Sequence, residues 1–564
     1  MRRFAWIVGC SFLLSCARPP GYPADLVILN GRVYTMEPGP ESLAEAVAIR
    51  GDSILYVGNA AMAKRLIGPQ TEVLDASGGL VLPGFIDAHT HFFEGGFQLL
   101  GVELRDAHTE WDFIRLIAEH ARRLRPGQWI TGGNWDHQQW PSRQLPRKEW
   151  IDSVTSQTPV FVTRHDGHMG LANSLALRLA GITRRTPDPP GGQIVRDPET
   201  GEPTGILKDA AMDLVYRVIP EPTFEERMQA LRAAMREANR LGVTAVHNMG
   251  SWAELPVLDS LDRRGELTVR LYHFMPLPTV DSLIAFERRT PLRRPMLKTG
   301  GLKGFVDGSL GSSTALFFDP YTDDPTNRGL PNAMILPLGR LDSLIERADR
   351  AGLQVAIHAI GDSANKYLLD VYARVAERLG NRDRRFRIEH AQHLRQSEIP
   401  RFARQGVIAS MQPYHAIDDG RWADSRIGPE RARYTYAFRS LLASGARLAF
   451  GSDWPVAPLN PILGLYAAVT RRTLDGRHPE GWVPEEKISL AEALHAYTLA
   501  SAYAGFQDDR LGSLRPGKWA DIVVLDEDLF RLDPEAWPQV RVRYTIVGGR
   551  VVYRLTGREA PAGQ

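Results

Sequence analysis

The chain has 564 residues, 43% hydrophobic and 24% charged, with a formal net charge of +2. That length supports a large core and more than one domain. The near-neutral balance, without a dense basic run, gives no ground for nucleic acid as a partner and leaves a small-molecule substrate as the expectation.

The only cysteines, Cys10 and Cys16, lie near the N-terminus, so the folded body can hold no internal disulfide. Residues 1–15 join Arg2-Arg3 to a short apolar run and read as an export signal. The run is too short to span a bilayer comfortably. Leu13-Leu14-Ser15-Cys16 resembles a bacterial lipoprotein cleavage box, with Cys16 as the lipid-bearing first residue of the mature chain. The expected location is the bacterial cell envelope, anchored through Cys16, and Ala17 after the cysteine favours the outer membrane. An ordinary signal peptide, leaving a periplasmic protein, or a retained anchor is the alternative.

A linker over 16–23 leads into a β-rich stretch over 24–78. Asp25–Tyr34 reads as two strands joined at Asn30-Gly31, and Ala46–Val57 as two more with Gly51-Asp52 at the turn. Residues 507–558 have the same character, with strands at Ala520–Leu525 and Val540–Tyr553 and a turn at Gly548-Gly549. The two ends are therefore expected to build one small β-sandwich, with the middle of the chain inserted into it.

Residues 79–506 alternate short apolar strands with helical stretches such as Thr223–Leu241 and Leu341–Ala351. The strand candidates are Leu80–Asp87, Val243–His247, Leu267–Phe274, Lys303–Val306, Gln354–His358, Phe386–His390, Val407–Gln412 and Leu448–Phe450. Eight such units argue for an α/β fold of the (β/α)8 TIM-like barrel type, with a doubly wound open sheet as the alternative. The gap at about 101–221 is too long for one helix and reads as an insertion after the first barrel strand, over the mouth where substrates are selected.

In a barrel, residues at the C-terminal strand ends converge on one site. Here those ends carry His89 and His91 after the first strand, Lys303 in the fourth, His358 on the fifth, His390 on the sixth and Asp453 after the eighth. His89 and His91 are alternate residues of an extended segment, so both imidazoles can meet one ion. One such histidine alone reads as a satisfied core residue. Several at corresponding strand ends point to metal binding.

These positions sit in Leu82-Pro-Gly-Phe-Ile-Asp-Ala-His-Thr-His91, Lys303-Gly-Phe-Val-Asp-Gly-Ser-Leu-Gly311, Ile357-His-Ala-Ile-Gly-Asp362, Arg387-Ile-Glu-His-Ala-Gln392, Met411-Gln-Pro413 and Gly451-Ser-Asp453. With the tail Gly512–Asp521, they resemble the amidohydrolase superfamily, and within it the family 3 branch that includes N-substituted formamide deformylases. The resemblance implies one or two divalent ions, zinc first among them. His89, His91 and Asp453 would hold the first ion, and His358 and His390 the second. Lys303 matches a position that can carry an N6-carboxylysine bridge. An unmodified ammonium has no lone pair to offer, so without that modification the site would be mononuclear.

The reaction so implied is hydrolysis of a non-peptide C–N bond (amide, formamide, carbamoyl or cyclic amide) by metal-activated water, with Asp453 as proton shuttle. Ester hydrolysis or isomerisation on the same metals is one alternative. A non-catalytic metal- or solute-binding lipoprotein is another. His168 and His415 are candidates to meet the substrate oxyanion, with Gln412 beside the latter, and structural roles stay open for all of them. Trp135, in Trp135-Asp-His-Gln-Gln-Trp140, can wall an apolar pocket or be plain core. Homodimers occur among relatives, but no stretch of this chain reports one.

Overall fold

A computed structural model describes residues 23–557, apart from 126, 138–139, 165–168, 190–191, 336 and 338. The expectations for the export signal, Cys16 and His168 fall outside the described residues. No described helix is long and apolar enough to cross a membrane.

Eight strands form one parallel sheet in chain order: Phe85–Thr90, Val243–Met249, Arg270–Pro276, Leu297–Phe305, Gln354–Ala359, Arg387–His390, Ile408–Met411 and Arg447–Phe450. They are buried on both faces because helices cover the outside, and so they read as continuous apolar runs. Phe224–Arg240 is one such cover. Thr223 caps it in a reciprocal box with Glu226, worth about 1 kcal/mol.

The sheet closes almost into a barrel. Its first and eighth strands meet at their C-terminal ends, where Asp453 N donates to His89 O (2.8 Å) and His91 N to Trp454 O (2.8 Å). The buried Asp87 carboxylate reinforces the seam. Its Oδ1 accepts from His89 N and Ser452 N, both at 3.0 Å. A Cβ at Gly451 would lie 2.5 Å from His89 N and 2.7 Å from Asp87 Oδ1, so only glycine fits there.

The chain ends form two further sheets. Ser53–Gly58, Ala46–Arg50, Ala24–Leu29 and Ile67–Asp75 make the first; Arg550–Arg554, Val542–Val547, Ile522–Leu525, Leu80–Pro83, Arg32–Tyr34 and Leu43–Ala44 make the second. Leu26, Val47 and Ile49 from the first pack with Val81, Ile522 and Ile546 from the second in one core.

Two expectations are corrected here. Asn30-Gly31 is not a hairpin turn, because the strands on either side of it belong to different sheets. Asn30, at φ 57°, turns the corner between them. Leu80–Asp87 is likewise two strands. Leu80–Pro83 completes the second terminal sheet, and Phe85 opens the barrel. Gly84 makes the transfer, and any side chain there would strike Thr244.

The terminal domain is clamped to the barrel by Arg270, whose Nε and Nη2 donate to Asp521 at 2.7 and 2.8 Å. Trp519 stacks 4.1 Å from the same guanidinium. The tail motif ending at Asp521 is thus explained by architecture.

Lys298, early in the fourth strand, sits against Tyr272 and Phe506 and donates to Gly505 O at 2.5 Å. Burial, then Arg293 and Arg385, pushes its ammonium down to about 7. Between that pH and the ordinary lysine range the unfolded chain binds the extra proton, so stability rises with pH across the interval. Lys298→Met is expected to flatten that rise. Denaturation midpoints at about pH 7 and about pH 9.5 give the comparison, and an unaltered slope would show that this ammonium is not its source.

The insertion folds around a sheet of its own, from Val102–Glu103 through Gly132–Trp135, Phe161–Arg164, Met169–Ala172 and Pro203–Asp209 to Gly192–Arg196. Trp135 is fully buried within it among Phe113 and Trp140, and its Nε1 donates to Val162 O at 2.9 Å. Its expected place in a pocket wall is therefore corrected: a tryptophan with its whole surface and its single donor satisfied inside the insertion offers nothing to a ligand.

Candidate metal centre

His89 ends the first barrel strand and His91 follows it, while the seam loop delivers Asp453 beside them. Asp453 Oδ1 lies 3.4 Å from both His89 Nε2 and His91 Nε2. Asp453 has φ 61° and His390 has φ 74°, left-handed values that non-glycine residues adopt uncommonly. Such strain persists where the surrounding structure enforces it, and it collects at functional sites.

Among the described residues two groups of donors can hold an ion: His89, His91 and Asp453, and His390, His415 and Asp453. Within each group one donor atom per residue lies within 4.8 Å of the others. Asp453 is common to both. His358 belongs to neither, although its ring centroid is 4.5 Å from that of His390. Its Nε2 faces Gly308 O at 2.9 Å, leaving Nδ1 as its other nitrogen.

The far ring nitrogens of His89 and His390 are held from behind. His89 Nδ1 meets Glu389 Oε2 at 2.5 Å and His390 Nδ1 meets Gln412 Oε1 at 2.8 Å. Metal-ligating histidines are characteristically fixed in this way by a carboxylate or carbonyl oxygen on the far nitrogen. Burial, then Lys303, lowers His89 to about 4 and His358 to about 3. His390 is also driven well below its usual range, by burial first and then by His358. These imidazoles are therefore neutral near pH 7, the form that ligates. Burial works against the Asp453 charge, but the hydrogen bond from His91 leads the interactions that outweigh it and hold the carboxyl well below the usual range. Neutral imidazoles facing an ionised carboxylate, with a buried His415 Nε2 that has no hydrogen-bond partner, suit a divalent cation.

Glu389 and Arg387 have no role in the sequence reading, yet they anchor this arrangement. Arg387 is fully buried and grips both oxygens of Glu389 at 2.7 and 3.0 Å. It also donates to Ala88 O at 2.6 Å and Ser410 Oγ at 3.0 Å. Its third nitrogen meets His247 Nδ1 at 2.8 Å. Two charged residues at i and i+2 in an apolar strand were the available signal, since alternation puts both on the barrel interior.

The other expected residues divide. Lys303 is at the centre, with Nζ 3.2 Å from His89 Nε2. His415 joins the site. Gln412 is fully buried behind His390, so its expectation as a substrate contact is corrected: its amide oxygen is spent on orienting that ring. Asp307, which lies in the motif that begins at Lys303, organises loops, its carboxylate accepting from Ile360 N (3.0 Å), Gly361 N (2.9 Å) and Leu316 N (2.8 Å).

The chain is 41% identical over 559 residues to Protein LONG AFTER FAR-RED 3 of Arabidopsis thaliana, covering 96% of this chain and 94% of that one. It is 30% identical over 548 residues to the N-substituted formamide deformylase of Arthrobacter pascens, covering 94% and 99%. An uncharacterized metal-dependent hydrolase from Pyrococcus furiosus superposes with a TM-score of 0.74 at 30% identity, over 90% of this chain and 99% of that one. Since the amidohydrolase family model also matches residues 72–553, the chain belongs to the amidohydrolase family.

Proposed function

We propose that this protein hydrolyses a non-peptide C–N bond in a small molecule, with amides, N-substituted formamides, carbamoyl compounds and cyclic amides as the candidate substrates. One observation carries the reading: an ionised carboxylate, Asp453, lies 3.4 Å from the Nε2 atoms of two histidines at the end of a barrel. The likeness to a formamide deformylase supports the bond class.

His89, His91 and Asp453 would hold one divalent ion, zinc first among the candidates, and His358 and His390 would hold a second. When bound, such an ion supplies Lewis acidity, polarising a carbonyl oxygen and bringing water toward ionisation near neutral pH. Asp453 then takes the proton of the attacking water and passes it to the leaving nitrogen, so that the amine departs neutral. Glu389 and Gln412 keep the rings of His89 and His390 from turning.

Lys303 is part of the proposal. Burial lowers its amine to about 8, against the opposing pull of Glu389 and Asp453. An ammonium 3.2 Å from His89 Nε2 would repel a cation on that nitrogen, so occupancy favours the neutral amine. That amine can add carbon dioxide with loss of a proton, which would turn a hydrogen-bond donor into a carboxylate able to serve as a metal ligand.

The test is hydrolysis of matched amide, formamide and ester series by protein purified without chelators. Amide or formamide turnover is expected to exceed ester turnover, to fall at least about a hundredfold on chelation, and to return with Zn2+. Preference for the esters would reject the bond class. Turnover indifferent to chelation would reject the metal-dependent reading altogether.

A further inference from the structure

His415 lies beyond the ligand set that the family resemblance implies, and the structure leaves its Nε2 buried without a hydrogen-bond partner. A buried polar atom left in that state keeps its desolvation cost uncompensated, so native proteins keep few of them without a use. Its donor atom shares a space no wider than 4.8 Å with those of His390 and Asp453. His390 has its Nδ1 committed to Gln412 at 2.8 Å, so Nε2 is the nitrogen it has to offer. Asp453 carries two oxygens, with lone pairs enough for two cations.

Chain geometry accounts for the convergence. Gln412 directly follows the seventh strand, and Pro413 opens the helix Pro413–Asp419. One short segment thereby supplies both the oxygen that orients His390 and, three residues on, the imidazole of His415.

We propose that His415 is a ligand of a second divalent ion, which it would hold together with His390 and Asp453. The assignment rests on the hydrolase reading and deepens it by naming a donor for the second position.

Zinc equivalents per chain, measured by elemental analysis after equilibration with Zn2+ and removal of excess, provide the test without any substrate. Wild type is expected to hold two equivalents. His415→Asn and His415→Gln should hold one, or bind the second at least about tenfold more weakly. His415→Asp, nearly the same shape as His415→Asn but with an anionic oxygen donor, should recover the second equivalent. Circular dichroism and melting curves establish that the variants are folded. Should His415→Gln unfold, the His415→Asp and His415→Asn pair decides between lost ligation and lost packing. Equal zinc content and affinity in wild type, His415→Asn and His415→Asp would overturn the assignment and leave the hydrolase reading standing. Wild type that binds no metal at all would remove both.

Discussion

Asp453→Asn is expected to cut hydrolysis by about a thousandfold or more while the fold survives, because a proton-transfer group and a charged donor are lost together. Asparagine is the informative replacement. It keeps the shape of aspartate and is among the few residues that tolerate a left-handed backbone, here φ 61°. The seam hydrogen bond from residue 453 N to His89 O, 2.8 Å long, comes from the backbone and is retained. The loss should appear in kcat and kcat/KM alike, the signature of an interaction made in the transition state. A variant turning over within tenfold of wild type would strip Asp453 of the shuttle role.

Glu389→Gln has the largest expected effect on stability. It leaves the shape unchanged but strands the Arg387 guanidinium, which is fully buried and depends on both Glu389 oxygens. Breaking one side of such a pair costs about 3–5 kcal/mol, since the desolvated partner charge remains. The same change weakens the hold on His89 Nδ1, so zinc affinity at His89, His91 and Asp453 should fall about 10- to 100-fold. Burial alone would raise the Glu389 carboxyl, but Arg387, then His89, holds it far below the ordinary glutamate range. Its contribution to stability is therefore complete above the ordinary glutamate range and is lost only as pH falls toward the folded-state value. Wild type should lose stability on acidification more steeply than Glu389→Gln. Adding Arg387→Met to Glu389→Gln should restore much of the loss, because the unpaired charge is then gone. Equal denaturation midpoints for wild type and Glu389→Gln would refute this account.

Much of the site was legible because its residues stand at strand ends. His89, His91, His390 and Asp453 are each recognisable from a short apolar run followed by a ligating side chain, and the barrel collects such ends at one face. Local pattern fails where the partner lies far along the chain. Glu389 and His89 are 300 positions apart, and neither stretch announces the other. Gln412 and Trp135 are polar-tipped residues in suggestive motifs, yet one supports a ligand and the other fills a core. Only the surroundings of each side chain separate those uses.

The division follows from what each level of structure encodes. Hydrophobic periodicity and strand-end histidines determined the eight-unit barrel and most of the donor types, since both are local properties of an alternating β and α chain. Tertiary structure decided that Leu80–Pro83 and Phe85–Thr90 part company at Gly84, because sheet membership depends on which edges are available for pairing. It also decided that His415 stands beside Asp453, and that a buried Arg387–Glu389 pair braces the site. Those are through-space relations between residues distant in the chain, and no periodicity along a sequence carries them.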